Sequence, residues 1–401
     1  MSVIRSLSVM LVWVCSAAAG EHLPIVFGES FDLPSKVLAE TRTALVALPE
    51  DYHTSNTAYP VLYLLDGGSH FFHTYGSGRF LGDNGLMPQM ILVAITNTNR
   101  NRDLTPPLKP TPGQQVDPAA TTGGADPFLA FLDEELIPYV TQHYRTRPYK
   151  ILAGHSLGGL FAIHTLITKP DVFDAYVAVS PSLWWNDMET LGKAEKFFGE
   201  NQNLAKRLFL SLGNEGDQMR KPFDGFTELL GNKAPSRLDW KAMILEDEDH
   251  GSVVLRSHYF AFKHIFSGWR LPAAVFESGL AAIKEHYQGL SQVFGYEIPT
   301  PERVINNLGY RYLARGETEP AIAAFRYNVV AYPDSANVYD SLAEAHEKAG
   351  EYQLAKKNYE KAVHRAESSG HRNLAVFRRN LERVSGLLSG SSPAEGTGKE
   401  D

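Results

Sequence analysis

Cysteine is almost missing from this chain: 401 residues contain one, Cys15. It falls within the first twenty residues, so everything beyond them can form no disulfide and offers no thiol nucleophile. Long apolar runs are missing as well. The apolar stretch at residues 9–14 is too short to span a bilayer. It follows Arg5 and precedes Ala17-Ala18-Ala19, the charged start, apolar centre and small-residue cleavage site of a secretory signal, so residues 1–20 are expected to be removed on export. Lipidation of Cys15 would call for small residues just before it, and Trp13-Val14 are bulky. Export without disulfides points to a bacterial periplasm. An excess of positive charge is also absent: the formal net charge is −8, which excludes the basic footprint of a nucleic-acid-binding protein. What remains, 43% apolar and 21% charged, is the composition of a globular protein long enough for one large domain or two.

The body of the chain reads as α/β. Continuous apolar runs at residues 42–48, 61–65, 90–95, 151–153, 176–179, 207–212 and 240–245 read as buried strands. Helical spacing lies between them, as at Phe128, Phe131, Leu132, Leu136, Tyr139 and Val140, where Pro138 is expected to kink the helix. Strands of this kind alternating with helices predict a parallel sheet covered on both faces, with ligand chemistry at the strands' carboxyl ends. Residues 98–125, rich in Pro, Gly, Asn and Thr, are expected to form a lid or rim over such a site. Residues 21–270 form this body, and a linking helical segment covers 271–301.

From residue 302 the texture changes to the 34-residue period of a tetratricopeptide unit. Ile305, Leu308, Gly309, Tyr312, Ala321, Phe325 and Pro333 are followed one period later by Tyr339, Leu342, Ala343, His346, Ala355, Tyr359 and Glu367. Residues 302–388 are therefore expected to hold two such repeats and a capping helix, packed on the body because two repeats bury little surface alone. A protein or peptide partner at the repeats is one expectation. The polar, glycine-rich stretch 389–401 is expected to be a disordered tail.

Chemistry concentrates at Gly154-His155-Ser156-Leu157-Gly158-Gly159, placed between an apolar strand and an apolar helical segment. This is the glycine-flanked serine of a nucleophile elbow, whose tight turn lifts a hydroxyl above the sheet. A serine hydroxyl needs a base to take its proton and an acid to orient that base, in the chain order serine, acid, histidine. His250, on the loop after the last strand, is the candidate base. His258 and His264 read as ordinary surface or half-buried helix residues, His155 as facing the sheet's interior or flank, and His164 as lying below the serine. The acid is Glu215, with Asp217 as the alternative, since both follow the strand ending at Leu212; Asp247 and Asp249 are too near His250 in sequence. An oxyanion hole would use the backbone N–H of Leu157 and one from the loop after residue 65, at Gly68, where a missing side chain permits close approach. His70, Trp184, Trp185 and Arg100 are candidate pocket residues, with Arg102 a further arginine on the same loop. His70 and His73 lack a clear third ligand for a metal site, and no cofactor is called for.

Taken together, Tyr63-Leu64-Leu65-Asp66-Gly67-Gly68, Asn97 with Arg100 and Arg102-Asp103-Leu104-Thr105-Pro106, the elbow, Ser180-Pro181-Ser182-Leu183-Trp184-Trp185 and Asp249-His250-Gly251-Ser252 resemble the putative-esterase family, the esterase D-like branch of the α/β-hydrolase superfamily. The resemblance covers residues 35–268 and implies a Ser–acid–His triad carried onto Ser156 and His250, with Glu215 or Asp217 as the acid. It implies ester substrates, among them siderophore lactones and acyl sugars, and no cofactor. Two other functions fit the same residues: acyl transfer to an acceptor other than water, and a protein-binding module acting through the repeats.

Overall fold

The computed structural model describes residues 25–108 and 121–390. The expected signal at 1–20 with Cys15, the middle of the expected lid (109–120) and the tail from 391 lie outside the described residues. One eight-stranded sheet organises the body: β1 (Glu29–Ser35), β2 (Glu40–Ala47), β3 (Tyr59–Leu64), β4 (Ile91–Ile95), β5 (Thr146–His155), β6 (Ala175–Val179), β7 (Arg207–Gly213) and β8 (Asp239–Leu245). The order across the sheet is β1-β2-β4-β3-β5-β6-β7-β8. Every residue of β3, β4 and β6 is buried, as continuous apolar strands in a doubly covered parallel sheet must be.

Two features of the sheet depart from a purely parallel expectation. β1 pairs antiparallel with β2, and β2 antiparallel with β4. β1, Glu-Ser-Phe-Asp-Leu-Pro-Ser, alternates exposed and half-buried residues and carries Pro34, features of an edge strand covered on one face.

Fifteen α-helices accompany the sheet among the described residues. In chain order the body holds α1 (Gly67–Asp83), α2 (Arg100–Leu104), α3 (Ala125–Phe131), α4 (Ile137–His143), α5 (Leu157–Thr168), α6 (Trp185–Glu200), α7 (Asp217–Lys233) and α8 (Val253–Ile265). One face of the sheet packs on Phe128, Phe131, Phe161, Phe198 and Phe226 of α3, α5, α6 and α7, and the other on Phe71 of α1 and Phe262 of α8. Beside Pro138, where a kink is expected, a π-helical turn, Leu132–Leu136, lies between α3 and α4. Pro138 has no N–H to donate and its ring crowds the preceding turn, and the wider π turn accommodates both defects. The start of the expected lid is likewise ordered as α2, capped by Asn99, whose side chain accepts from the Arg102 N–H.

Beyond the body come α9 (Ala273–Glu277), α10 (Leu280–Phe294), α11 (Glu302–Ala314), α12 (Thr318–Ala331), α13 (Ala336–Lys348), α14 (Tyr352–Ser369) and α15 (Leu374–Ser389). α11 and α13 start 34 residues apart, as do α12 and α14. Gly316 and Gly350 close the two inter-helix turns at φ +76° and +77°, a left-handed conformation that favours glycine. Gly309 is required for another reason: a Cβ there would lie 2.4 Å from the Phe325 ring. The hairpins join the body through one apolar core, in which Ile283, Tyr287, Leu290 and Phe294 of α10 connect Phe266 to Ile305 and Leu308 of α11. Among the described residues no helix is long and apolar enough to cross a membrane.

Candidate active site

The turn between β5 and α5 holds Ser156 at φ 60°, ψ −116°, a backbone conformation that a non-glycine residue adopts only under constraint. The constraint is visible in the bonds around it. The Ser156 N–H donates to Val179 O at 2.9 Å, and the Ser156 carbonyl accepts from the N–H groups of Leu160 and Ser182, both at 3.0 Å. A Cβ on Gly154 would lie 2.3 Å from the Gly158 carbonyl, so the strand can meet the helix this closely only as glycine.

The serine hydroxyl lies 3.1 Å from His250 Nε2 and 3.2 Å from Ser182 Oγ. His250 Nδ1 lies 2.6 Å from Glu215 Oε2. The other Glu215 oxygen, Oε1, accepts from Ser180 Oγ at 2.5 Å and from the Gly213 N–H at 3.1 Å. Burial by itself would raise the Glu215 carboxyl, but the bonds from His250, Ser180 and Gly213 outweigh it and hold the carboxyl below its ordinary range. An ionised Glu215 can only accept, so Nδ1 carries the proton and Nε2 presents a lone pair to the serine. The alternative acid, Asp217, opens α7, is exposed and pairs with Lys221 at 2.8 Å. Asp247 pairs with Arg256, and Asp249 accepts from the Gly251 and Ser252 N–H groups, shaping the His250 loop.

The expected oxyanion donors stand at two helix starts. Leu157 is the first residue of α5 and Gly68 the second of α1, positions whose N–H groups have no partner within their own helix. The close approach falls at Gly67, where a Cβ would lie 2.8 Å from the Ala94 carbonyl carbon, whereas a Cβ at Gly68 would meet open space.

The arginines and tryptophans expected at the site are held by their neighbours. Arg100 does not reach freely into a pocket: its Nε and Nη2 grip Asp66 at 2.6 and 2.9 Å, and Nη2 also donates to the His155 carbonyl at 3.1 Å. Asp66, buried and bound as well by Asn97, escaped notice because its partner is 34 residues away. Arg102 is engaged by Glu40 and Asp103. Trp184 and Trp185 are both half-buried, and the Trp185 indole N–H is tied to the Pro106 carbonyl at 3.2 Å.

The histidines fall into a cluster beside the elbow and two that stand apart from it. His155 faces the base loop, with Nε2 2.7 Å from the His250 carbonyl oxygen and its ring 4.6 Å from the His250 ring. His258 is completely buried in α8, 2.8 Å from Thr74 Oγ1. Since Thr74 donates its hydroxyl proton to the His70 carbonyl, His258 Nδ1 must donate to it. His70, half-buried, packs between His73 and His155 at ring separations of 5.1 and 5.4 Å. His264, near Asp239, and His164, paired with Asp126, lie away from the serine. Among the described residues no group of three or more His, Cys, Asp or Glu side chains is arranged to hold a metal ion.

This histidine cluster has a consequence for acid stability. Burial, then the charges of His250 and His70, pushes His155 down to about 4, burial pushes His73 to about 4, and buried His258 falls well below its ordinary value. These rings stay neutral in the fold, while the unfolded chain protonates its histidines near pH 6.5. Below that pH the unfolded state binds more protons, so stability is complete above about pH 6.5 and is lost as pH falls toward 4. His155 and His258, the most deeply buried of these rings, both add to that loss. Urea unfolding at pH 7 and pH 5 should show the loss, and His258→Leu should make it shallower. An unchanged slope in that variant would assign the acid sensitivity elsewhere.

The chain is similar to several known proteins. Over 195 residues the chain is 35% identical to a siderophore enterobactin esterase of Emericella nidulans, taking in 40% of this chain and 64% of that protein. Over 155 residues it is 36% identical to the ferri-bacillibactin esterase BesA of Bacillus subtilis, taking in 35% of this chain and 53% of that one. The chain thus spans less than two thirds of the length of these curated relatives. The crystal structure of an IroE-like serine hydrolase from Shewanella oneidensis superposes with a TM-score of 0.64 at 31% identity, over 73% of this chain and 96% of that one. Residues 35–250, more than half of the chain, match the family described as Putative esterase, and the chain belongs to that family.

Proposed function

We propose that this protein hydrolyses carboxylic esters through a serine acyl-enzyme, with Ser156 as nucleophile, His250 as general base and Glu215 as the acid that orients it. The observation carrying this reading is the unbroken run of contacts from Ser156 Oγ to His250 Nε2 to Glu215, set on a strained strand-to-helix turn. His250 takes the serine proton as Oγ attacks the ester carbonyl. The N–H groups of Leu157 and Gly68 stabilise the oxyanion of the tetrahedral intermediate. His250 then protonates the departing alkoxide, and a water activated by the same imidazole releases the acid and regenerates the serine.

The substrate class we propose is the siderophore ester, because the esterases of E. nidulans and B. subtilis carry those substrates in their names. Export to a periplasm and a protein-docking role for the 34-residue helical hairpins belong to the same reading. A panel of a catecholate trilactone, feruloyl and acetyl sugars and p-nitrophenyl acetate tests it. The trilactone should exceed p-nitrophenyl acetate in kcat/KM by about 10²-fold, since binding of its remote groups is used at the reacting centre. Equal turnover of all members would remove the siderophore assignment, and turnover of none would remove the esterase reading. A product containing an added alcohol in place of water would identify an acyltransferase.

A further inference from the structure

We infer that His155 is a positioning residue for the general base: its imidazole Nε2–H holds the His250 backbone carbonyl and so fixes the base loop against the nucleophile turn. The inference rests on the proposed roles of Ser156 and His250 and adds a residue to them. A carbonyl oxygen can only accept, so the 2.7 Å contact requires the proton on His155 Nε2. The His155 backbone is fixed in turn, because its own carbonyl accepts from Arg100, which is locked in a two-point grip on Asp66. Asp66 immediately precedes the Gly67-Gly68 start of α1. One connected path therefore ties the oxyanion loop, the elbow and the base loop: Asp66 to Arg100, Arg100 to the His155 carbonyl, the His155 ring to His250.

The far side of the base loop has its own anchors. The Asn214 N–H donates to the Glu248 carbonyl at 2.6 Å, and Asp249 binds the two amides that follow His250. The first of these secures the loop to the β7 end of the sheet, beside Glu215, and the second holds the loop's own turn. His155 secures the same loop from the β5 end, beside Ser156. Without it, the base stays bonded to Glu215 but its ring is free to swing from the serine hydroxyl, which sits at 3.1 Å with no other tie to the loop's backbone. Such a displacement should reach the chemical step and leave substrate binding alone.

The test uses the full chain with a p-nitrophenyl ester, comparing wild type, His155→Ala, His155→Gln and Ser156→Ala. Gln places its amide nitrogen close to the position of histidine Nε2 and can donate to the same carbonyl. In His155→Ala, kcat should fall roughly 10- to 100-fold with KM within about two-fold of wild type. His155→Gln should recover kcat to within about three-fold. If His155→Ala does not fold, His155→Met, of similar bulk and without a donor, takes its place in the comparison with Gln. A Gln variant as slow as the donor-free variant, a loss confined to KM, or wild-type kcat without the donor would each overturn the proposal. Ser156→Ala separates this failure from failure of the underlying reading: retained turnover in that variant removes the nucleophile assignment and the positioning role together.

Discussion

Replacing Ser156 with alanine is expected to reduce turnover of a p-nitrophenyl ester by about 10⁴- to 10⁶-fold, with KM nearly unchanged and covalent labelling by a fluorophosphonate lost. The effect is large because among the described residues no other hydroxyl is bonded to the base. Ser182 Oγ stands 3.2 Å from Ser156 Oγ, but the His250 Nε2 contact is to Ser156. The residual rate should still exceed that in water, since the amides of Leu157 and Gly68 would continue to stabilise an oxyanion formed by direct attack of water. The fold should survive, because the bonds holding this turn use the Ser156 backbone N–H and carbonyl and leave the hydroxyl out. Circular dichroism and thermal unfolding check that separation. Labelling that persists in Ser156→Ala would place the nucleophile elsewhere.

The parts of this arrangement that could be read from sequence are those with a local physical cause. Strands buried on both faces leave continuous apolar runs, which is why β3, β4, β6 and β7 stand out. β1 does not, because an edge strand with one covered face, Pro34 and exposed Glu29 resembles a loop. The elbow is legible because its glycines answer a steric demand within five residues, and Gly154 meets it against Gly158. The 34-residue offset of α11 and α13 is legible for a similar reason: Gly316 and Gly350 recur wherever a left-handed turn recurs. What escapes is pairing at a distance and orientation at close range. Nothing local marks Asp66 as the partner of Arg100, or Thr74 as the partner of His258, 184 residues further on. His155 flanks the serine in the motif, yet the direction of its ring depends on a loop that arrives 95 residues later. Glu215 and Asp217, two residues apart on the same turn, differ little in the sequence beyond distance from the strand tip but are opposite in space, one turned inward to His250 and the other outward to Lys221.

That difference sets up the second large effect. Glu215→Gln should lower kcat by about 10³- to 10⁴-fold, while Asp217→Asn should stay within about two-fold of wild type. The asymmetry comes from hydrogen-bond direction. Two donors, Ser180 Oγ–H and the Gly213 N–H, converge on Glu215 Oε1. A glutamine there must turn its carbonyl oxygen toward them, which leaves its amide NH₂ at the Oε2 position facing His250 Nδ1. A donor at that point demands a lone pair on Nδ1, so the imidazole proton moves to Nε2 and confronts the serine hydroxyl. The ring remains in place in the wrong tautomer, unable to take the serine proton. KM should change little, because Glu215 is buried behind His250 and its side chain is only 6% exposed. Asp217 loses a solvent-exposed ion pair, an interaction that contributes little to stability. Steady-state kinetics on the two variants near pH 7.5, with thermal unfolding to verify folding, decides the matter. A Glu215→Gln enzyme that keeps more than about a tenth of wild-type kcat, or an Asp217→Asn enzyme impaired as severely, would take the orienting role away from Glu215.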